Sequence, residues 1–286
     1  MENDYRMKNV FYALFLSLFL SACSFLQDKK ITENEFKDTE FEIISAHNKQ
    51  KVNFDEFIDL IGTYDIILLG EKHDEYNHHL AEYFIIKALH EIKNINVVFE
   101  MLSTDKQNKI DTAKADKENI KPPNLAKAIE WEKSWRWKDY QNIVELVFYK
   151  DIKMSAGNLS KAEISTIYQG AQQLNGFVST KNSVKEMIKT IIMNNHKIDT
   201  NSTENSTLLD MLVQIQQYKD RRMADIVVQS KEKAVLIAGR HHTDKRIGIP
   251  LHIQDFKSSK KVVVVIFGAS EKEVEFAEAD YFYLFK

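Results

Sequence analysis

Five short apolar runs interrupt an otherwise mixed chain: Asp65–Leu69 (DIILL), Asn96–Glu100 (NVVFE), Ile152–Ala156 (IKMSA), Ala234–Ala238 (AVLIA) and Lys261–Phe267 (KVVVVIF). Runs of this length suit strands buried on both faces, as in parallel sheets. Between them the apolar positions keep a helical period. Leu80, Phe84, Ala88, Leu89 and Ile92 share a face after the first run. Leu208, Met211, Leu212, Ile215, Met223 and Ile226 do so before the fourth. The alternation predicts an α/β fold, a mainly parallel sheet with helices on both faces. Phe41–Ser45 and Tyr281–Phe285 predict short edge strands. Two stretches, 104–148 and 159–206, are long for crossovers and predict helical insertions, a lid or subdomain at one sheet edge. The polar stretch 194–207 predicts a loop.

The N-terminus follows another pattern. Arg6 and Lys8 precede the apolar run Val10–Leu20, which ends in Leu20-Ser21-Ala22-Cys23. This is the layout of a secretory signal, too short for a membrane span of about 20 apolar residues. The last four residues resemble a bacterial lipobox, which implies cleavage before Cys23 and acylation of that residue. Ser24, a non-Asp residue after the cysteine, implies the outer membrane of a Gram-negative envelope. The expected organisation is a signal peptide over 1–22, a lipidated tether over 23–50 and one α/β domain over 51–286.

Composition narrows the function classes. The 286 residues are 44% hydrophobic and 28% charged, which excludes a disordered polar chain and a polytopic membrane protein. Lys and Arg number 39 against 42 Asp and Glu, so no basic excess suggests nucleic acid as a partner. With Cys23 as the one cysteine, disulfides, thiolate zinc sites, iron–sulfur clusters and covalent haem attachment are all excluded. Any haem or metal must be held by His, Tyr, Met, Asp or Glu.

Ionisable residues crowd the ends of the apolar runs. The first leads into Gly70-Glu71-Lys72-His73-Asp74, the second ends at Glu100, the third precedes Gly157-Asn158 and the fourth precedes Gly239-Arg240-His241-His242. Gly70 suggests a tight turn and Asp74 a helix cap. A parallel sheet would carry Glu71, His73, Glu100, Asn158, His241 and His242 to one edge, where ligands of open α/β sheets bind. Imidazole and carboxylate together can ligate a divalent metal or move protons. A metal-dependent hydrolase using Glu71, His73 and a strand-end histidine is therefore one reading. The segment Trp131–Trp137, with three tryptophans, fits either helix packing or a cover for a flat ligand.

Several motifs occur in a fixed order: Leu69-Gly70-Glu71-Lys72-His73-Asp74 with His78-His79, Phe99-Glu100-Met101, Trp135-x-Trp137-x-x-Tyr140, Ala156-Gly157-Asn158-Leu159, Tyr218-x-Asp220-x-x-Met223-Ala224, Ala238-Gly239-x-His241 and Gly248-Ile249-Pro250-x-His252. In this order, behind a lipobox, the chain resembles the ChaN family of bacterial haem-binding lipoproteins, in the superfamily that includes the Tiki-type metalloproteases. The resemblance implies a non-catalytic carrier or receptor in haem and iron acquisition. Its cofactor would be ferric protoporphyrin IX with a tyrosine as axial ligand, and basic residues and histidine would meet the propionates. Tyr218 is the expected iron ligand, because Lys219, Arg221 and Arg222 supply positive charge around it. Tyr76 and Tyr168 are the reserves. Lys72 stands where family members often carry Thr or Asn; it suits a propionate and repels a divalent ion. Lys72, His73, His78, His241 and Arg222 complete the expected cofactor-binding set. One tyrosine covers one face of a haem, so a haem-promoted homodimer is expected to bury the other.

Overall fold

The five apolar runs form five adjacent strands of one eight-stranded sheet in the computed structural model, which describes residues 30–196 and 203–286. The signal segment, Cys23 and part of the predicted loop at 194–207 lie outside the described residues. In chain order the elements are α1 (Glu33–Asp38), β1 (Phe41–Ser45), β2 (Lys51–Val52), α2 (Phe54–Ile61), β3 (Ile66–Glu71), α3 (Tyr76–Ile92), β4 (Ile95–Ser103), α4 (Gln107–Ala115), α5 (Pro122–Ala128), α6 (Trp137–Tyr149), β5 (Lys153–Asn158), α7 (Lys161–Tyr168), α8 (Asn182–His196), α9 (Thr203–Gln229), β6 (Lys233–Gly239), α10 (Arg240–Thr243), α11 (Ile249–Asp255), β7 (Val262–Gly268) and β8 (Tyr281–Phe285).

The strand order is β2-β1-β8-β7-β3-β6-β4-β5. All pairings from β8 to β5 are parallel, while β1 and β2 add antiparallel. The C-terminal run is therefore interior rather than an edge: β8 lies between β7 and β1, paired from Phe41↔Phe285 to Ser45↔Tyr281. This also moves the expected boundary at residue 51. Residues 31–286 form one compact unit, into which α1 and β1 are built. Phe36 of α1 stacks on Phe84 of α3 at 4.1 Å.

Period-two alternation splits each central strand between two cores. Ile67, Leu69, Val97, Val235 and Val263 pack on one side with α2, α3 and α6. Ile66, Leu68, Val98, Leu236 and Val264 pack on the other with α9 and α11. Each such side chain contributes about 1.5–3 kcal/mol by leaving water. The helical insertion at 104–148 is no detached lid, because Ile110, Leu125, Ile143 and Val144 bury into the first core. In the second insertion α8 packs on α9 through Val184, Ile188 and Val213.

Gly70 works by close approach rather than by turning the chain. β3 runs on through it to Glu71. A Cβ there would press into Thr243 Oγ1 and lie 3.2 Å from Arg240 Cα. Gly70→Ala is expected to destabilise the fold by about 1–3 kcal/mol. The check is a lower urea midpoint with an unchanged slope.

Candidate functional site

The parallel register aligns the carboxyl ends of the central strands, with Glu71 opposite Gly239. From that edge a row of alternating carboxylates and imidazoles runs inward. Glu71 Oε1 accepts from the Tyr140 hydroxyl at 2.6 Å and lies 2.8 Å from His73 Nδ1. His73 Nε2 is 3.9 Å from Glu100 Oε2, which accepts from the Gly239 amide at 2.8 Å. Glu100 Oε1 lies 3.1 Å from His242 Nε2, and His242 Nδ1 lies 2.5 Å from Asp220 Oδ1. Asn158 joins through its amide, which donates to the Glu100 carbonyl at 3.0 Å. His73 is the member that meets solvent, with 35% of its side chain exposed and the Trp135 ring edge-on at 4.6 Å.

The charges in this row hold one another in place. Burial would raise the Glu100 carboxyl, but the charges of His242 and His73 keep it well below the usual range. Burial would lower His242, but Glu100 and Asp220 push it up to about 10. Burial pushes Asp220 up to about 6 against the pull of His242. His73 is raised by Glu71 and Glu100 although burial opposes this. Near pH 7 the centre of the row is thus a buried imidazolium held by carboxylates, able to fix hydrogen-bond directions and to hold a proton.

Of the two adjacent histidines, His242 rather than His241 enters the row. Successive side chains on the short turn of α10 point about 100° apart, and the chain order of two neighbours does not say which faces inward. His241 is half-buried; burial and the neighbouring Arg240 lower its imidazole to about 4. His78 also departs from the expected set. It is 5% exposed, accepts from the Lys72 amide at 2.9 Å and packs against Phe267 and Phe285. Burial lowers it to about 4, so it is a neutral clasp on the β3–α3 loop. Asp74 does not cap α3, whose N-cap is Glu75. Lys72 keeps 60% of its side chain exposed and pairs with Glu75 at 2.7 Å. Trp131 and Trp137 pack against the first core, so helix packing accounts for most of the aromatic segment.

Tyr218 stands in a different place. It is two residues from Asp220 on α9, hence on another side of that helix. Its hydroxyl donates to the Gln172 carbonyl at 2.5 Å. Around it lie Leu159, Ile164, Ile167, Tyr168 and Ala171, an apolar bed. The two arginines expected beside it are already engaged. Arg222 pairs with Glu163 at 2.5 Å and donates to Thr104 Oγ1, while Arg221 binds His252 at 2.9 Å and Asp255 at 3.0 Å. The reserve Tyr76 donates to Glu35 at 2.9 Å. The structure therefore gathers Glu71, His73, Glu100 and Asn158, and sets Tyr218 and Arg222 apart from them. Sequence reasoning missed Tyr140, Asp220 and the buried Glu82 as polar groups of this region. Tyr140 and Asp220 both carried a signal, the first inside the Trp135-x-Trp137-x-x-Tyr140 motif and the second inside the Tyr218-x-Asp220 motif, while Glu82 carried none.

Residues 57–253 match the family described as haem-binding uptake, Tiki superfamily, ChaN. A solved structure describing cofacial heme binding to ChaN of Campylobacter jejuni is similar at 46% identity with a TM-score of 0.82, over 87% of this chain and 98% of that one. An effector domain of a Vibrio vulnificus MARTX toxin gives 13% identity and a TM-score of 0.43, covering 82% of this chain and 37% of that one. An erythromycin esterase, EreC, gives 10% identity and a TM-score of 0.40, covering 86% and 83%. No curated protein matches the sequence.

Proposed function

This chain belongs to the ChaN family of haem-binding uptake proteins in the Tiki superfamily, and from that premise we propose that it is a membrane-tethered haem carrier or receptor in iron acquisition. The observation that carries the reading is its 46% identity, across nearly the whole of the relative, to a ChaN that binds heme cofacially. Haem fits the surroundings of Tyr218. A phenol oxygen reaches the surface of α9 beside the apolar bed of Leu159, Ile164 and Ile167, matching a flat macrocycle with an oxygen-seeking ferric centre. When bound, the haem supplies the iron that Tyr218 ligates. Lys72, His73 and Arg222 are the groups proposed for its propionates, Arg222 by exchanging its bond to Glu163. The cofacial arrangement in the relative favours two subunits closing over stacked haems, as a haem-promoted homodimer would. A ferric haem titration followed by visible absorption, with sizing before and after, tests this. Saturable binding with a shift from monomer to dimer is expected; absence of a Soret change refutes the reading.

Anchoring through Cys23 at the outer membrane is the second part of the proposal and rests on the lipobox. Cys23→Ala is expected to abolish acylation and release the protein from the membrane fraction. Unchanged membrane fractionation with continued acylation would sink it.

A further inference from the structure

Behind the exposed His73, three side chains converge on a second, fully enclosed point. Glu71 comes from the end of β3, and His79 and Glu82 come from one turn of α3. One ligand atom of each lies within 4.8 Å of the others. All three are 0–1% exposed. Glu71 Oε1 is occupied by Tyr140 and His73, and its Oε2 faces the other way, 2.8 Å from His79 Nε2. At that distance the two atoms are still not aligned as a hydrogen bond. Glu71 Oε2, both ring nitrogens of His79 and both carboxyl oxygens of Glu82 have no hydrogen-bond partner. Buried polar atoms left in this way are unfavourable and call for something that satisfies them. A proton shared between the two carboxyls would serve them and leave His79 with only its close approach to Glu71 and its Nδ1 unmet. A cation would serve all three residues at once.

We propose that Glu71, His79 and Glu82 form a buried site for a divalent first-row transition metal, distinct from the residues proposed for haem. Two carboxylates and a neutral imidazole balance a double positive charge. An O,O,N donor set suits Mn2+, Fe2+ or Zn2+ better than the all-oxygen shells of Ca2+ and Mg2+. His79 and Glu82 stand at i,i+3, a helical spacing that carboxylate–histidine metal sites in helix bundles use. Tyr140 and His73, both on Glu71 Oε1, are the outer groups that orient a ligating carboxylate. The ion would fasten the end of β3 to α3 and fix the carboxylate on which His73 rests. The proposal is independent of haem binding.

The test uses the full chain without haem, stripped by chelator and refolded with Co2+ or Zn2+. About one retained equivalent per chain is expected, with cobalt d–d bands and a higher thermal midpoint. Since even outer-shell changes weaken metal sites about 10–100-fold, Glu82→Gln should weaken retention at least about tenfold, while Tyr218→Phe should leave it intact. X-ray absorption of the zinc-loaded wild type should give one imidazole with oxygen donors, a readout that stands if Glu82→Gln fails to fold. Folded wild type that retains no metal overturns the site. So does equal retention by folded Glu82→Gln, or a shell with two or more imidazoles.

Discussion

Tyr218→Phe is expected to remove the charge-transfer bands of ferric phenolate haem and to weaken haem binding by at least about 100-fold. The magnitude follows from the role: losing an outer-shell group at a metal site costs about 10–100-fold, and here the ligand itself is lost. The fold should be nearly unaffected. The hydroxyl makes one hydrogen bond, to the Gln172 carbonyl near the surface, and the ring stays in place. Such a bond is worth about 1 kcal/mol. Circular dichroism and a urea melt therefore serve as controls for the visible titration. That bond also sets a condition on the wild type: a ligating phenolate cannot donate, so the Tyr218–Gln172 contact must open on binding. Retention of the wild-type spectrum by Tyr218→Phe would move the ligand to Tyr168 or Tyr76.

His242→Ala is expected to give the largest loss of stability of any single change in the row, about 3–5 kcal/mol. His242 lies between Glu100 and Asp220, both essentially out of solvent. Removing the imidazolium leaves two buried carboxylates facing each other, the costly way to break a buried ion pair. The wild type should also carry a pH signature. The folded pKa of His242, about 10, lies above its unfolded value near 6.5. Its contribution is therefore fully present below about pH 6.5 and fades as pH rises towards 10. Urea midpoints across that window should fall in the wild type by an amount absent from His242→Ala. Equal slopes in both proteins would show that the histidine is not the group titrating.

The parts of the molecule legible in the sequence are those set by local pattern. The five adjacent parallel strands β3 to β7 follow from apolar runs, because a strand covered on both faces has few polar positions left. The strand-end cluster follows from the same logic, since parallel strands place their carboxyl ends together, and Glu71, His73 and Glu100 meet there. The family motifs are equally local. What the tertiary structure alone decided depends on contacts far apart in the chain and on the phase of short helices. Tyr140 reaches Glu71 across 69 positions and Arg222 reaches Thr104 across 118, so neither partner is visible from its neighbours. The choice of His242 over His241 is a matter of one residue of rotation in a four-residue helix. The interior place of β8 depends on whether an N-terminal segment read as tether returns to cover it. Glu82 looks on the sequence like any solvated helix position. Only packing against β3 encloses its carboxyl beside Glu71 and His79 and turns an ordinary glutamate into a buried polar group in need of a partner.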